Sequence, residues 1–340
     1  MPEMMRDALN RPLIDLRISV TDKCNYRCTY CMPLGKYEWV DRKEILSYEE
    51  ITRLARIFIS LGVEKIRLTG GEPLLRRDLD RLVAGLCKIE GLKDLSLTTN
   101  GSLLAESARS LAAAGLKRIN VSLDTLDPDK FQRITRRRDL GKIIEGMCMA
   151  RSCGLDPVKI NTVLERGVND DEILAMVEFA RRNGFAIRFI EYMDAGNANQ
   201  WGMEKMVSKD EILAVIRKSF RIEEAGRKGG SAPSVDYRFS DGGPSLGIIT
   251  SVTEPFCRSC TRMRLTADGR LVTCLFSTRG HDIKRYLREG ASDETIRDFI
   301  AAVWTARSDR YSEERFAVLD SPGSQNAGVR RKIEMISLGG

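Results

Sequence analysis

The chain has 340 residues, of which 42% are hydrophobic and 30% are charged, and its formal net charge is +7. This composition excludes an intrinsically disordered chain, and the 55 Lys and Arg residues are spread along the sequence, so we predict no nucleic-acid partner. No run of about eighteen apolar residues and no signal peptide occur, so we predict a cytoplasmic protein with no membrane partner.

The chain contains nine cysteines, an odd number without the regular spacing of a disulfide framework. In a reducing compartment, clustered thiols are better explained as metal ligands. The only histidine is His281, which argues against a mechanism built on proton transfer by histidine. The sequence does not reveal the oligomeric state and is compatible with a homodimer.

The first predicted strand, Asp15–Val20, is closely followed by three cysteines, Cys24, Cys28 and Cys31. In such a tight loop each thiolate can reach a different iron of a [4Fe-4S] cubane, which leaves the fourth iron open. An open metal position favours chemistry over structural support. A zinc loop is the alternative, but zinc sites usually combine two distant pairs of ligands.

Six short runs are predicted as strands: Asp15–Val20, Lys65–Thr69, Asp94–Thr99, Arg118–Asp124, Pro157–Val163 and Ala186–Tyr192. Helical patterns separate them. Ser47 with Glu50 predicts a capping box at the start of one helix, and Asn169 with Glu172 is predicted to cap a later one. This regular alternation of strand and helix predicts a parallel sheet with right-handed crossovers.

The six strands alternate between an apolar face and a polar face. A parallel sheet covered by helices on both faces should be apolar on both, so one face of this sheet is predicted to be exposed to solvent. Helices outside and a polar lumen inside satisfy the pattern. Because a full barrel has eight strands, we expect an α/β fold with an incomplete (β/α)6 parallel barrel that is open on one side.

Four cationic side chains are predicted to point into the lumen: Arg17, Arg67, Lys159 and Arg188. Cations that face each other repel, which is tolerable only if an anion lies among them or acids neutralise them. Salt bridges to Asp124, Asp15 or Glu191 could account for one or two of the four. We favour an anionic ligand, because buried charge is usually paired.

The second strand is followed by Gly70-Gly71-Glu72-Pro73. Two glycines allow a backbone to approach a ligand closely, and the proline fixes the path into the next helix. Alone, this turn is weak evidence for a binding site.

The composition shifts after the predicted barrel. We place the domain boundary at residue 219, with the barrel in residues 1–219 and a smaller C-terminal iron–sulfur domain in residues 220–340. The run Gly226 to Ser234 is rich in Gly, Ser and Lys and is predicted to be a linker or a mobile loop.

A second cysteine group consists of Cys257, Cys260 and Cys274. A two-residue turn at Asp268-Gly269 would pair Met263 with Cys274 and return the third thiol to Cys260. Strand alternation puts Arg262 and Arg264 on a common face beside this metal site. The alternative is a Cys3His zinc site closed by His281, but the first motif favours a second iron–sulfur cluster. The chain ends on Gly339-Gly340, and such a terminus usually frays.

The first cysteine motif, with an aromatic residue before its last cysteine, resembles the radical S-adenosylmethionine (SAM) superfamily, and Gly70-Gly71-Glu72-Pro73 resembles the glycine-rich motif of that superfamily. The second cysteine group with its two arginines and the terminal Gly-Gly makes the chain similar to the GTP 3′,8-cyclase family of molybdenum cofactor biosynthesis. The resemblance covers essentially the whole chain.

The resemblance implies two [4Fe-4S] clusters, held by Cys24, Cys28 and Cys31 and by Cys257, Cys260 and Cys274. It implies that SAM is bound by Tyr30, Gly71, Ser122 and Met193. It implies that GTP is bound by Arg17, Arg67, Thr98, Lys159, Arg188, Arg262, Met263 and Arg264. The catalytic residues it implies are Arg17, Arg262, Arg264, Gly339 and Gly340. The two glycines are included because the Gly-Gly tail of this family reaches toward the active site.

The implied reaction starts with a 5′-deoxyadenosyl radical that abstracts hydrogen from C3′ of GTP. The C3′ radical attacks C8 of guanine, and reduction gives 3′,8-cyclo-7,8-dihydro-GTP, so an external electron donor is a further implied partner. The nearest rival is a radical SAM enzyme with an auxiliary cluster that modifies a peptide, which would not need the lumen cations. A zinc-stabilised RNA-binding protein is the alternative outside the enzymes.

Overall fold

The computed structural model describes residues 4–32, 37–197, 199–319 and 331–339. Its strands are β1 (Asp15–Ser19), β2 (Lys65–Thr69), β3 (Asp94–Thr99), β4 (Arg118–Ser122), β5 (Val158–Leu164), β6 (Ala186–Glu191), β7 (Ile222–Gly226), β8 (Ser234–Phe239), β9 (Leu246–Ile249), β10 (Arg262–Leu265), β11 (Arg270–Val272) and β12 (His281–Asp282). The six strands predicted from the sequence are therefore confirmed as β1 to β6, with ends shifted by at most two residues.

Helices alternate with the first six strands and then cover the C-terminal part. They are α1 (Tyr48–Ser60), α2 (Leu79–Cys87), α3 (Leu104–Ala113), α4 (Pro128–Thr135), α5 (Leu140–Ser152), α6 (Ile173–Asn183), α7 (Lys209–Arg217), α8 (Lys284–Arg288), α9 (Asp293–Thr305), α10 (Tyr311–Leu319) and α11 (Met335–Leu338). The capping box of Ser47 and Glu50 is confirmed at the start of α1.

All twelve strands belong to one sheet, in the order β12-β11-β10-β1-β2-β3-β4-β5-β6-β9-β8-β7. Strands β1 to β6 are parallel neighbours, β10 is parallel to β1, and β9 is parallel to β6. The C-terminal part thus extends both edges of the first sheet, and the sheet is not closed. This pairing satisfies backbone groups that β1 and β6 would otherwise leave open as edge strands.

The apolar face of the sheet packs under the helices. Leu16 and Ile18 of β1 and Leu68 of β2 are fully buried, as are Leu54 and Phe58 of α1. On the polar face, a side chain from every strand from β1 to β6 lines one cavity: Asp15, Lys65, Asp94, Arg118, Lys159 and Arg188. The polar face is therefore concave, as the strand alternation predicted.

Asn169 lies at the N-cap of the 3-10 turn Asp170–Glu172 that leads into α6, as predicted, but its side chain makes no capping hydrogen bond. Helix α6 begins at Ile173, and the Asn169 amide instead donates hydrogen bonds to the carbonyl oxygens of Asp124, at 2.7 Å, and Val163, at 2.9 Å. Buried carbonyl groups at the strand ends need donors, and this need outweighs helix capping.

The segment from residue 226 to 234 is the loop of a β-hairpin within the sheet, so it does not link two separate domains. It contains the end of β7, a 3-10 turn at Lys228–Gly230 and the start of β8. Residues 227–233 form the connection between β7 and β8.

The hairpin of β10 and β11 differs from the predicted one by one residue. Arg264 pairs with Val272, and Thr266 N–H donates to the Arg270 carbonyl, which leaves a three-residue turn with Gly269 at φ 78°. This register places Thr273, not Cys274, opposite Met263. A three-residue loop with glycine in the left-handed region competes with the two-residue turn for the same Asp-Gly sequence.

Candidate functional site

The first cysteine loop follows β1 and is closed by its own backbone. The N–H groups of Cys31 and Met32 both donate to the Cys28 carbonyl, at 3.1 and 3.0 Å. Two donors face the sulfur of Cys24: the backbone N–H of Tyr26, at 3.4 Å, and the Asn100 side-chain amide, at 3.9 Å. Such donors suit a thiolate, which is the form of cysteine that binds metal.

Burial raises the pKa of Cys24 to about 11 and that of Cys31 to about 12, and acids from other segments add to the effect, Glu72 at Cys24 and Glu334 and Asp124 at Cys31. No nearby lysine or arginine lowers the pKa of these thiols enough to offset the effect of burial. A positively charged metal group is what would hold all three as thiolates, so the loop fits an iron–sulfur cluster.

The Gly70-Gly71 turn lies directly against the cysteine loop. Gly71 N–H donates to the Thr21 carbonyl at 2.8 Å, and Glu72 N–H donates to the Lys23 carbonyl at 2.7 Å. A Cβ at Gly71 would overlap the carbonyl oxygens of Asp22 and Lys23. Glycine is required here because two backbones meet. Gly71 is not among the residues that line the cavity described next, so its role at SAM stays a prediction.

Three of the four predicted SAM residues, Tyr30, Ser122 and Met193, line one cavity that contains about 1310 Å³ of space free of protein atoms, including solvent at its mouth. The Tyr30 hydroxyl donates to Asp124 at 2.7 Å, and the Val163 N–H donates to the same carboxylate at 2.9 Å. From the sequence, Asp124 was predicted only as a salt-bridge partner of the lumen cations. The structure shows that it fixes Tyr30 at the cavity wall.

The predicted cations meet at the concave face. Arg17 and Arg67 line both the large cavity and its continuation toward the amino ends of the strands, where Lys159 and Arg188 also lie. Desolvation, reinforced by nearby arginines, lowers the pKa of Lys159 to about 7 and lowers the pKa of Arg17, Arg67 and Arg188 as well. The site therefore disfavours its own positive charges in the absence of an anion.

The alternative of internal salt bridges for these four cations is not supported in the described part of the chain. Asp124 binds Tyr30, Asp15 accepts from Thr261, and Glu191 accepts from Val252 and Thr253. None of the 23 ion pairs in the described ranges contains Arg17, Arg67, Lys159 or Arg188. Unpaired cations at one place indicate a site for an anionic ligand.

Two further features of the cavity wall suit a polar ligand. The Thr98 hydroxyl and the Asn161 side-chain oxygen are buried without a hydrogen-bond partner in the described structure. Buried polar atoms are normally satisfied, so each indicates a group that a ligand supplies. Thr98 was among the predicted substrate residues, whereas Asn161 was not.

The second cysteine trio lines the same cavity. Cys257, Cys260 and Cys274 contribute to its wall together with Arg262 and Arg264, which share one face of β10 as predicted. Met263 points the other way. Its side chain is fully buried in the hydrophobic core beside β1, so the structure does not bring the Met263 side chain to the cavity, and only its backbone is left for the predicted substrate contact.

A zinc site closed by His281 is not supported. His281 is exposed on the edge strand β12 and does not line the cavity with the cysteines. In the described ranges, no three His, Cys, Asp or Glu side chains gather around one point as a single metal ion needs. The ligands of a cubane bind separate irons and need not converge in this way, so the trio fits a cluster better.

Arg307 is a functional candidate that sequence analysis missed. Its Nη2 donates to Sγ of Cys260 at 3.2 Å, and its Nη1 donates to the Cys260 carbonyl at 2.8 Å. Although burial alone would raise it, the pKa of Cys260 is lowered to about 7 by Arg262 and Arg307. No local pattern in the sequence connects Arg307 with a cysteine 47 positions earlier.

We predict that Arg307→Lys lowers the reduction potential of the second cluster by on the order of 50 mV, because a hydrogen bond to a ligand thiolate stabilises the reduced, more negative state. The measurement is a potentiometric titration followed by electron paramagnetic resonance, in protein whose first trio is replaced by serine. Arg258→Lys is the control, since Arg258 is exposed next to Cys257. Equal potentials for all three proteins would contradict the prediction.

The C-terminal tail enters the site. Arg264 Nη1 donates to the carbonyl oxygens of Leu338, at 3.1 Å, and Gly339, at 2.8 Å, and Gly339 touches Thr69 at the end of β2. The expectation that the tail reaches the site agrees with this placement of Gly339. Gly340 lies outside the described residues.

A buried charge cluster holds the start of this tail segment. Asp194, which follows β6, forms ion pairs with Arg315 at 2.8 Å and with Lys332 at 2.7 Å, and it also accepts from the Tyr311 hydroxyl. Phe276 stacks on Tyr311 with ring centroids 4.4 Å apart. The tail is therefore anchored to the sheet before it reaches Arg264.

No helix in the described ranges is long and apolar enough to cross a membrane.

Two family profiles match adjacent parts of the chain. Residues 18–180 match the radical SAM superfamily, and residues 185–313 match the family described as Molybdenum Cofactor Synthesis C. Two curated relatives are both named GTP 3′,8-cyclase. One from Acidothermus cellulolyticus is 46% identical, and one from Staphylococcus aureus strain MRSA252 is 44% identical. Each comparison covers 100% of this chain and 100% of the relative.

Among solved structures, that of Streptococcus suis SuiB bound to S-adenosylmethionine has a TM-score of 0.60 with 16% sequence identity. The similarity covers 96% of this chain and 73% of SuiB. A second structure, SuiB bound to its precursor peptide SuiA, has a TM-score of 0.58 with 16% identity, covering 95% of this chain and 68% of that one. At this identity the similarity concerns the fold alone.

Proposed function

The chain belongs to the GTP 3′,8-cyclase family of the radical SAM superfamily, and on this premise we propose that it converts GTP into (8S)-3′,8-cyclo-7,8-dihydroguanosine 5′-triphosphate, an early step of molybdopterin cofactor biosynthesis. One structural observation carries the proposal. Tyr30 of the first cysteine loop and the second cysteine trio line a single cavity whose wall also holds cations without acidic partners.

We assign the residues to roles by where they lie. Arg17, Arg67, Lys159 and Arg188 anchor the triphosphate, since they surround the inner part of the cavity. Charge-assisted hydrogen bonds to phosphate oxygens give anchoring energy far from the carbons that react. The anchored nucleotide is then held in one orientation, with its base toward the second trio and its ribose between the two cysteine groups.

Three side chains and one backbone group hold SAM in the proposal: Tyr30, Ser122, Met193 and Gly71. Two [4Fe-4S] clusters fit the two cysteine trios, and when bound they supply the electron that cleaves SAM and an open iron for the guanine base. Arg262 and Arg264 flank the second trio, and Arg264 also holds the tail that covers the site. Covering the site excludes water from a radical reaction.

We also infer that β1 to β6 form an incomplete (β/α)6 barrel. The support is that side chains from all six strands line one concave face, while the sheet remains open. We keep residues 1–219 and 220–340 as two functional units, one for each cluster, although strands of both share one sheet. Two oxygen-sensitive clusters and an external electron donor further favour the cytoplasm.

The direct test is anaerobic incubation of the reconstituted protein with GTP, SAM and dithionite. We expect 5′-deoxyadenosine and the cyclised nucleotide, together with about eight irons per chain. Far fewer irons, or SAM cleavage without any change in GTP, would overturn the proposal. The peptide-modifying alternative would gain support if GTP binding were unchanged by replacement of Arg17 or Lys159.

We predict that Cys257→Ser keeps dithionite-driven SAM cleavage but yields no cyclised product, because only the second trio loses a ligand. Chromatographic detection of 5′-deoxyadenosine and of the cyclised nucleotide in the same reaction separates the two steps. Cys148→Ser serves as the control, since Cys148 is exposed on α5. Normal turnover of Cys257→Ser would refute the role of the second trio.

A further inference from the structure

A run of exposed arginines ends α4 and connects it to α5. We call this segment the arginine turn and define it as residues 133–138. Arg133, Arg136, Arg137 and Arg138 are all exposed, and none of them forms an ion pair in the described part of the chain. The acid nearest along α4 is Asp129, which is also exposed. The surface therefore carries a strong excess of positive charge.

The arginine turn is fixed directly on the first cysteine loop. Thr29 N–H donates to the Ile134 carbonyl and Arg27 N–H donates to the Thr135 carbonyl, both at 3.0 Å. Arg137 Nε donates to the carbonyl of Asn25 at 2.7 Å.

The aromatic ring between these segments completes the contact. The Tyr26 hydroxyl donates to Asp139 at 2.8 Å, and its ring packs edge-on against Phe131 of α4 with centroids 6.0 Å apart. Asp139 forms no ion pair in the described part of the chain, and its single negative charge leaves the four arginines of the turn in excess. Arg27, itself exposed, lies over the Trp39 ring and widens the cationic surface.

We propose that the arginine turn is the docking surface for an acidic, low-potential electron carrier protein that reduces the first cluster. The inference rests on the proposed function, which needs an external electron. In the step, the carrier is oxidised by one electron and the cluster is reduced by one electron, with no bond made or broken.

Two properties favour this occupant. The exposed positive charge of the arginine turn raises the association rate with a negatively charged protein. Fast association suits a short-lived electron-transfer complex. The turn also shares backbone hydrogen bonds with the loop that would hold the cluster, so a carrier seated there is close to its electron acceptor.

The test compares Arg133→Glu/Arg138→Glu with a matched double reversal, Lys218→Glu/Arg238→Glu. All four residues are exposed, and the control pair lies near the β7 edge of the sheet, after α7 and on β8, whereas the arginine turn connects β4 to β5 in its middle. The probe is a purified acidic flavodoxin. By calorimetry at low ionic strength, we expect the oxidised flavodoxin to bind the turn variant about tenfold more weakly or worse, and the control variant to match the parent.

A second readout uses the reduced carrier. With flavodoxin hydroquinone, the second-order rate constant for 5′-deoxyadenosine formation should fall about tenfold in the turn variant, whereas dithionite, a small reductant, should drive all three proteins equally. Equal flavodoxin binding by both variants would overturn the inference. So would tight binding of a short RNA that is lost in the turn variant, since the surface would then serve a nucleic acid.

Failure of the inference and failure of the proposed function give different results. If dithionite yields no cyclised nucleotide with the parent protein, the proposed function is wrong. If dithionite works and only the flavodoxin response is unaffected by the arginine turn, the proposed function stands and the docking surface is wrong.

Discussion

Replacing Arg17 by Met is expected to lower GTP affinity at least about 100-fold and, at the same time, to raise the melting temperature of the ligand-free protein by about 2 °C. Arg17 faces the cavity, and its neighbours Arg262 and Arg264 add positive charge while burial lowers the pKa of Arg17. Without an anion, this side chain opposes folding. With the triphosphate present, it contributes binding energy.

Weaker GTP binding together with a higher melting temperature distinguishes a binding role of Arg17 from a structural role. A cation that stabilised the fold would lower the melting temperature when removed and would leave GTP binding largely intact. Calorimetric titration with GTP and anaerobic thermal unfolding measure the two effects on the same sample. A lower melting temperature with unchanged GTP affinity would show that Arg17 is structural.

Arg118→Met is the matched control. Arg118 lies on β4 at the same concave face, but its Nε donates to Asp94 at 2.7 Å. Removing it leaves a carboxylate without its partner, so the melting temperature should fall, in contrast to Arg17→Met. The direction of the change in melting temperature thus shows whether a cation of the concave face is paired with an acidic side chain of the protein.

Gly339→Ala should lower the rate of GTP cyclisation at least about tenfold, because the tail can no longer seat against the site. Gly339 has φ 68°, a region that favours glycine, and a Cβ there would overlap the side chain of Thr69. The two carbonyl groups that Arg264 binds would then move away from its guanidinium. Dithionite-driven SAM cleavage without GTP should change little.

Two further variants test whether the overlap with Thr69 causes the loss of activity. Gly290→Ala places Ala at φ 78° with no atom near the added Cβ, so it carries the same backbone strain of about 1 kcal/mol without the overlap and should remain active. Thr69→Ala in the Gly339→Ala background removes most of the overlapping atoms and should restore part of the activity. Full activity of Gly339→Ala alone would exclude a positioning role for the tail.

Local patterns were enough to predict much of the site. Period-two alternation in runs such as Lys65–Thr69 assigned the side chains to the two faces of the sheet. The three-cysteine loop and the cations Arg17 and Arg67 were therefore identifiable before any contact was known. These features depend on residues that are close in sequence.

The sequence by itself therefore determined the parallel order of β1 to β6, the polar face and the two cysteine trios. Only the tertiary structure decided how β9 and β10 extend the sheet, that Arg307 bonds Cys260, and that the tail reaches Arg264. The physical reason is the separation of the interacting residues along the chain. A strand or a loop motif follows from the preferences of adjacent residues, whereas these pairings depend on which distant groups remain unsatisfied once the sheet has formed.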